Sequence, residues 1–114
     1  HARKAELEKA EADLKAAEAR RVAKLIDPSA ESTTIDLKIG DMHALRRQLD
    51  DIAADTVAFN CEVLLVVPRT EDYPWLATLL TKRVVKANPD FELQLRREIE
   101  RNEKAHIVLT PARS

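Results

Sequence analysis

Residues 61 to 80 read CEVLLVVPRTEDYPWLATLL and hold five consecutive apolar residues, Val63 to Val67, together with the only Trp and the only Tyr of the chain. A β-branched apolar run closed by a proline predicts a strand, here from Val57 to Val67. Its unbroken hydrophobicity predicts cover on both faces and a central place in the sheet. Pro68 closes that strand, and Thr70 or Asp72 can cap a following helix with Pro74 in its first turn. Leu76, Leu79, Leu80, Val84 and Ala87 form the helix's buried stripe until Asn88-Pro89 stops it. Strand, polar corner and amphipathic helix together make one half of an α/β layer.

The flanking sequence supplies the rest of that layer. Residues 33 to 39, TTIDLKI, alternate Ile35, Leu37 and Ile39 with Asp36 and Lys38, the period of a half-buried strand that Gly40-Asp41 ends. Asp41 can cap a helix through Asp55 whose Met42, Leu45, Leu49, Ile52 and Ala53 lie three and four apart. Beyond Pro89, FELQLRREIE could be a charged helix, but Phe91, Leu93, Leu95 and Ile99 alternate with polar residues, which favours a strand. A turn near Arg101-Asn102-Glu103 then returns the chain as AHIVLT, ended by Pro111. The expected order is βαβαββ: an α/β (α+β) domain of about four strands with two helices packed on the sheet.

Residues 2 to 26 contain no Gly, Pro or Ser and are rich in Ala, Glu, Lys, Arg and Leu, so they predict a long N-terminal helix. Leu7, Ala10, Leu14 and Ala17 occupy heptad positions in a narrow seam that fails at Arg21 and Lys24, a short coiled coil at most. Either its last turns dock on the domain and the rest is solvated, or it is a stalk that pairs with another copy or partner. The expected organisation is a stalk over 1–27, a linker over 28–32, the α/β domain over 33–111 and a tail over 112–114. Because the chain opens on His1-Ala2-Arg3-Lys4 without Met, it is expected to be a piece of a longer protein.

With 114 residues, 45 % hydrophobic and 34 % charged, the chain has the size and composition of one globular domain. A formal net charge of −1 argues against general affinity for nucleic acid or anionic lipid. The longest apolar run is far short of the roughly 20 residues that span a bilayer. One cysteine, Cys61, excludes an internal disulfide and a cysteine zinc cage, and its place inside a strand predicts core packing.

Candidates for chemistry are sparse. A single glycine, Gly40, excludes both GxGxxG and a phosphate-binding P-loop, and there is no HExxH or GxSxG. His43 and His106 are not joined by any spacing that predicts a metal site. Asp50-Asp51 and Glu71-Asp72 are sequence neighbours, whose side chains diverge on a helix. No catalytic residue, cofactor or small-molecule substrate is expected. Arg69 to Tyr73 crowd a helix N-terminus at a strand's carboxyl end, a place ligands favour in α/β sheets, though a structural corner suffices. Lys82, Arg83 and Lys86 on one helix, with Arg96 and Arg97 near it in sequence, are the basis for an alternative, a nucleic-acid-associated module, and no aromatic pair suited to base stacking accompanies them.

Val63 to Leu80, with its EDYPW corner, and the preceding linker, strand and amphipathic helix resemble the periplasmic domain of ExbD/TolR-type cell-envelope proteins, over about residues 33 to 111. The chain departs from that pattern in lacking a Gly-containing hairpin before its first domain helix and in carrying the charged helix 2–26. The resemblance implies a dimeric, non-catalytic module of an envelope complex, periplasmic and membrane-attached only through a segment outside this chain; without it the expected compartment is the cytoplasm. Residues and resemblance lead to one expectation, a non-enzymatic scaffold for oligomerisation or protein–protein interaction on a helical stalk. Its candidate contacts are Leu7 and Leu14 on the stalk and Tyr73 and Trp75 at the corner.

Overall fold

A computed structural model describes the backbone of residues 2–112 and the side chains of residues 5–112; the last two residues of the expected tail lie outside it. The elements run α1 (Ala2–Val22), β1 (Thr33–Asp36), α2 (Met42–Ala58), β2 (Glu62–Val67), α3 (Asp72–Ala87), β3 (Gln94–Ile99) and β4 (His106–Thr110). The four strands form one mixed sheet in the order β1-β4-β2-β3. β2 and β3 are parallel, joined by the α3 crossover, and β4 is antiparallel to both β1 and β2. The expected α+β architecture is therefore the observed one, with segment 91–100 resolved as a strand over Gln94–Ile99.

One face of the sheet carries the core. Ile35, Val63, Leu65, Val67, Ile107 and Leu109 point at α2 and α3, where Leu45, Leu49, Ile52, Leu76, Leu80 and Val84 meet them, all buried. Alternate strand residues project to the opposite face. There the expectation of cover on both sides of β2 fails. Leu64, Val66 and Val108 lie at the centre of that second face, ringed by Asp36, His106, Glu98, Arg96, Glu62 and Thr110. No described element packs over this face; Val66 is buried within it, and Leu64 and Val108 stay half-exposed. A run of five apolar residues recorded a central strand correctly, but centrality within a sheet does not require a layer on each side.

Element boundaries moved where side chains competed for backbone groups. The N-terminal helix ends at Val22 rather than Ile26, because the N–H groups of Lys24, Leu25 and Ile26 bond to the Asp55 carboxylate instead of to carbonyls one turn back. Val57 and Ala58 are helical, not strand. α2 closes in a Schellman turn in which Asn60, at φ 48°, sits in the left-handed region. The N–H of Cys61 reaches the Thr56 carbonyl at 2.9 Å and that of Asn60 reaches Val57. At the other end of α2, Asp41 caps as expected, its carboxylate accepting from Ala44 N–H at 3.1 Å.

Neither Thr70 nor Asp72 caps α3. Glu71 is the residue at that position and makes no side-chain cap bond. Pro74, third in the helix, has no N–H for a cap to accept, and the Asp72 carboxylate is held by Arg69 at 2.9 and 3.1 Å. β1 stops at Asp36, three residues short of Ile39, for a reason that also bears on function.

Candidate interaction surfaces

Asp55 is the polar residue most deeply committed to the fold. Its side chain is fully buried, and its two oxygens accept the N–H groups of Lys24 at 2.8 Å, Leu25 at 2.7 Å and Ile26 at 2.9 Å. Three charge-assisted bonds to consecutive amides fix the segment after α1 against α2. Ile26 enters the core and Ala23 packs beside it. The Asp27 N–H then bonds to Thr33 Oγ1 at 3.0 Å, and the Asp27 carboxylate takes both the N–H and the hydroxyl of Ser29, which holds it below the usual carboxylate range. The expected linker is thus a hydrogen-bonded corner.

Above that anchor, α1 stands clear of the body. It spans about 30 Å at 1.5 Å per residue, and the molecule accordingly extends 59 Å against 31 and 23 Å in the other directions. Leu7 and Leu14, the two leucines of the heptad seam, are 65 % and 61 % exposed. Arg20 and Arg21 in its last turn suit the negative end of the helix dipole.

Tyr73 and Trp75, the contact candidates at the corner, are half-buried and packed against the core. The Arg97 guanidinium lies over the Tyr73 ring, 5.6 Å from its centroid. The corner between β2 and α3 is otherwise an ion-paired surface turn in which Arg69 lowers the Asp72 carboxyl pKa. On the basic face of α3, Lys82 and Lys86 are exposed, whereas Arg83 bonds to Asp50 at 2.8 Å and to the Leu79 carbonyl at 3.0 Å, tying α3 to α2. The structure does not bring His43 and His106 together: His43 is exposed on α2, and His106, on β4, contacts the Lys104 carbonyl.

Cys61 is buried, with its thiol directed at the Asp55 carbonyl at 3.6 Å. Desolvation, then the nearby Asp55 charge, pushes its pKa up to about 11, which suits a packed thiol and not a nucleophile. Among the described residues no three His, Cys, Asp or Glu side chains are placed to hold one metal ion, and no helix is long and apolar enough to cross a membrane.

The two sheet edges differ. Along β1, the Gln48 amide donates to the Asp36 carbonyl at 2.6 Å and accepts from Lys38 N–H at 3.0 Å, occupying two of the outer backbone groups where another strand would pair. That same bracket ends β1 at Asp36. β3 is the opposite case, a six-residue edge whose side chains are exposed except for half-buried Leu95. On the uncovered face, Glu62, Leu64, Arg96, Glu98, Val108 and Thr110 border a shallow depression of about 320 Å³.

Sequence reasoning missed Asp55, Gln48 and Asn60. Asp55 carried a signal: it continues the stripe Leu45, Leu49, Ile52 at helical spacing, and a carboxylate on a buried stripe requires partners. Asn60 follows a helix end, where it is second to glycine as a left-handed residue. Gln48 carried none. Compared with protein-family models, with curated proteins and with solved structures, the chain finds no match in any of the three.

Proposed function

We propose that this chain is a non-enzymatic assembly module that presents a helix and a sheet edge to another protein or to a second copy of itself. The observation that carries this reading is the contrast within α1. The segment after its C-terminal end is locked to the body through Asp55, while Leu7 and Leu14 remain exposed along the helix. Single helices of about 20 residues gain most of their stability from packing, so a helix anchored at one end and unpacked along its length suits a partner that covers its seam. The likeness to ExbD/TolR-type domains extends the proposal to a cell-envelope complex, which fractionation of the full-length gene product checks.

The basic face of α3 offers less. Arg83 is committed to Asp50, leaving Lys82 and Lys86 as its exposed cations. Two lysines supply little of the phosphate neutralisation that drives nucleic-acid binding.

Light scattering of the intact chain tests the assembly reading. The wild type is expected to run as a dimer or larger, and Leu7→Asp with Leu14→Asp is expected to shrink it. Those positions are solvent-facing, so the fold survives the change. Identical masses for wild type and variant would remove α1 from the proposal.

A further inference from the structure

The β3 edge carries a self-complementary code. The Glu100 N–H bonds to the Val67 carbonyl at 2.9 Å. Because alternate residues of a strand turn their backbone groups to the same side, Gln94, Arg96 and Glu98 also face β2, and Leu95, Arg97 and Ile99 turn N–H and C=O outward. An added strand must therefore pair through the odd-numbered residues. Consider a second copy running antiparallel about a two-fold axis at Arg97. Its odd residues meet odd residues, Leu95 opposite Ile99 and Ile99 opposite Leu95, in hydrogen-bonded pairs. The even residues fall between them with Arg96 opposite Glu98 and Glu98 opposite Arg96.

We infer that β3 is a homotypic pairing edge, joining two copies of this chain in the antiparallel register centred on Arg97. The inference rests on the assembly reading and specifies one of its surfaces. The register places two opposite-charge pairs on the open face and two aliphatic pairs on the helix side. Arg96 and Glu98 share the open face of their own strand, and Leu95 and Ile99 share the other. Shifting the axis to Arg96 opposes that residue to its copy and loses the Arg96–Glu98 pairs. Shifting it to Glu98 replaces them with Arg96–Glu100 pairs but opposes Glu98 to its copy and Arg97 to Ile99, losing both aliphatic pairs, so the register centred on Arg97 is favoured. Ile99, 36 % exposed at the edge, gains a partner.

The one like-charge contact, Arg97 with its copy, falls on the axis. There each guanidinium is drawn over the Tyr73 ring of its own chain. Pairing through β1 is opposed by the Gln48 bracket, which leaves β3 as the edge open to a long strand. Because facing residues come from the same side of each sheet, the helices of both copies end on one side and the two uncovered faces become continuous.

A charge swap tests the register. Among the described residues neither Arg96 nor Glu98 makes an ion pair, so changing them should leave the fold as it is. Sedimentation equilibrium of the full chain should show Arg96→Glu weakening self-association by roughly ten-fold, since two attractive cross-strand pairs become repulsive. Adding Glu98→Arg in the same chain should restore it. A wild type that stays monomeric at millimolar concentration overturns the inference, as does an Arg96→Glu variant that associates like the wild type. In that second case the response to Leu7→Asp and Leu14→Asp shows whether copies meet through α1, so the assembly reading stands or falls separately.

Discussion

The Asp55 carboxylate accepts the backbone N–H of Ile26 at 2.9 Å, across 29 residues of chain, and its two oxygens take the N–H groups of Leu25 and Lys24 as well. One buried side chain thus ends α1, seats Ile26 in the core and sets the direction in which the helix leaves the body. Shortening that side chain has a defined effect. Asp55→Ala leaves three amides without an acceptor, and with about 1–3 kcal/mol for each buried group left unpaired, the loss should reach about 4 kcal/mol. Asp55→Asn keeps one acceptor and should lose about half as much. Urea denaturation measures both, and limited proteolysis after Lys24 should accelerate in each variant.

Asn60 stands at φ 48°, where a β-branched residue is strained. Asn60→Gly should be neutral or slightly stabilising. Asn60→Val should cost about 1–2 kcal/mol, read as a lower thermal midpoint with unchanged secondary structure at room temperature.

Burial holds the Cys61 thiol neutral up to a pKa of about 11, above the 9.0 of the free side chain. Below pH 9.0 both folded and unfolded chains keep the proton, and the stability contributed is complete. Between 9.0 and about 11 the unfolded chain ionises first, so stability falls as pH rises through that window. Cys61→Ala should remove this part of the alkaline decline in denaturation midpoints. In the native protein at neutral pH, alkylation by iodoacetamide should proceed only at the rate of unfolding.

Gln48 holds the β1 edge closed through Asp36 and Lys38. Gln48→Ala exposes those two backbone groups, and the fold should lose about 1 kcal/mol for the two partly exposed bonds. Association at high concentration should rise through a second edge. That added association should be insensitive to Arg96→Glu, which distinguishes it from pairing through β3.

Much of the architecture was legible locally. The alternation of Ile35 and Leu37, the Val63–Val67 run, the Leu45–Leu49–Ile52 spacing and the Asp41 cap each report a backbone period or a terminus, and these depend on near neighbours in sequence. What the periods could not carry was where buried polar groups and edges find partners. Whether Val57 continues a strand or a helix turns on Asn60 closing the helix two residues after Ala58. Tyr73 and Trp75, readable from sequence either as core residues of the corner or as contact candidates, are partly buried against the core, and Arg97 lies over Tyr73 only after folding.

The sequence by itself determined an N-terminal helix and a small mixed α/β body, because hydrophobic periodicity and helix propensity act over a few residues. Only the tertiary structure decided that Asp55 anchors that helix, that Gln48 shuts one sheet edge while β3 stays open, and that one face of the sheet is uncovered. The Asp55 and Gln48 contacts join groups 10 to 31 residues apart, and a contact between distant segments, or the lack of one over a face or an edge, leaves no local period to read.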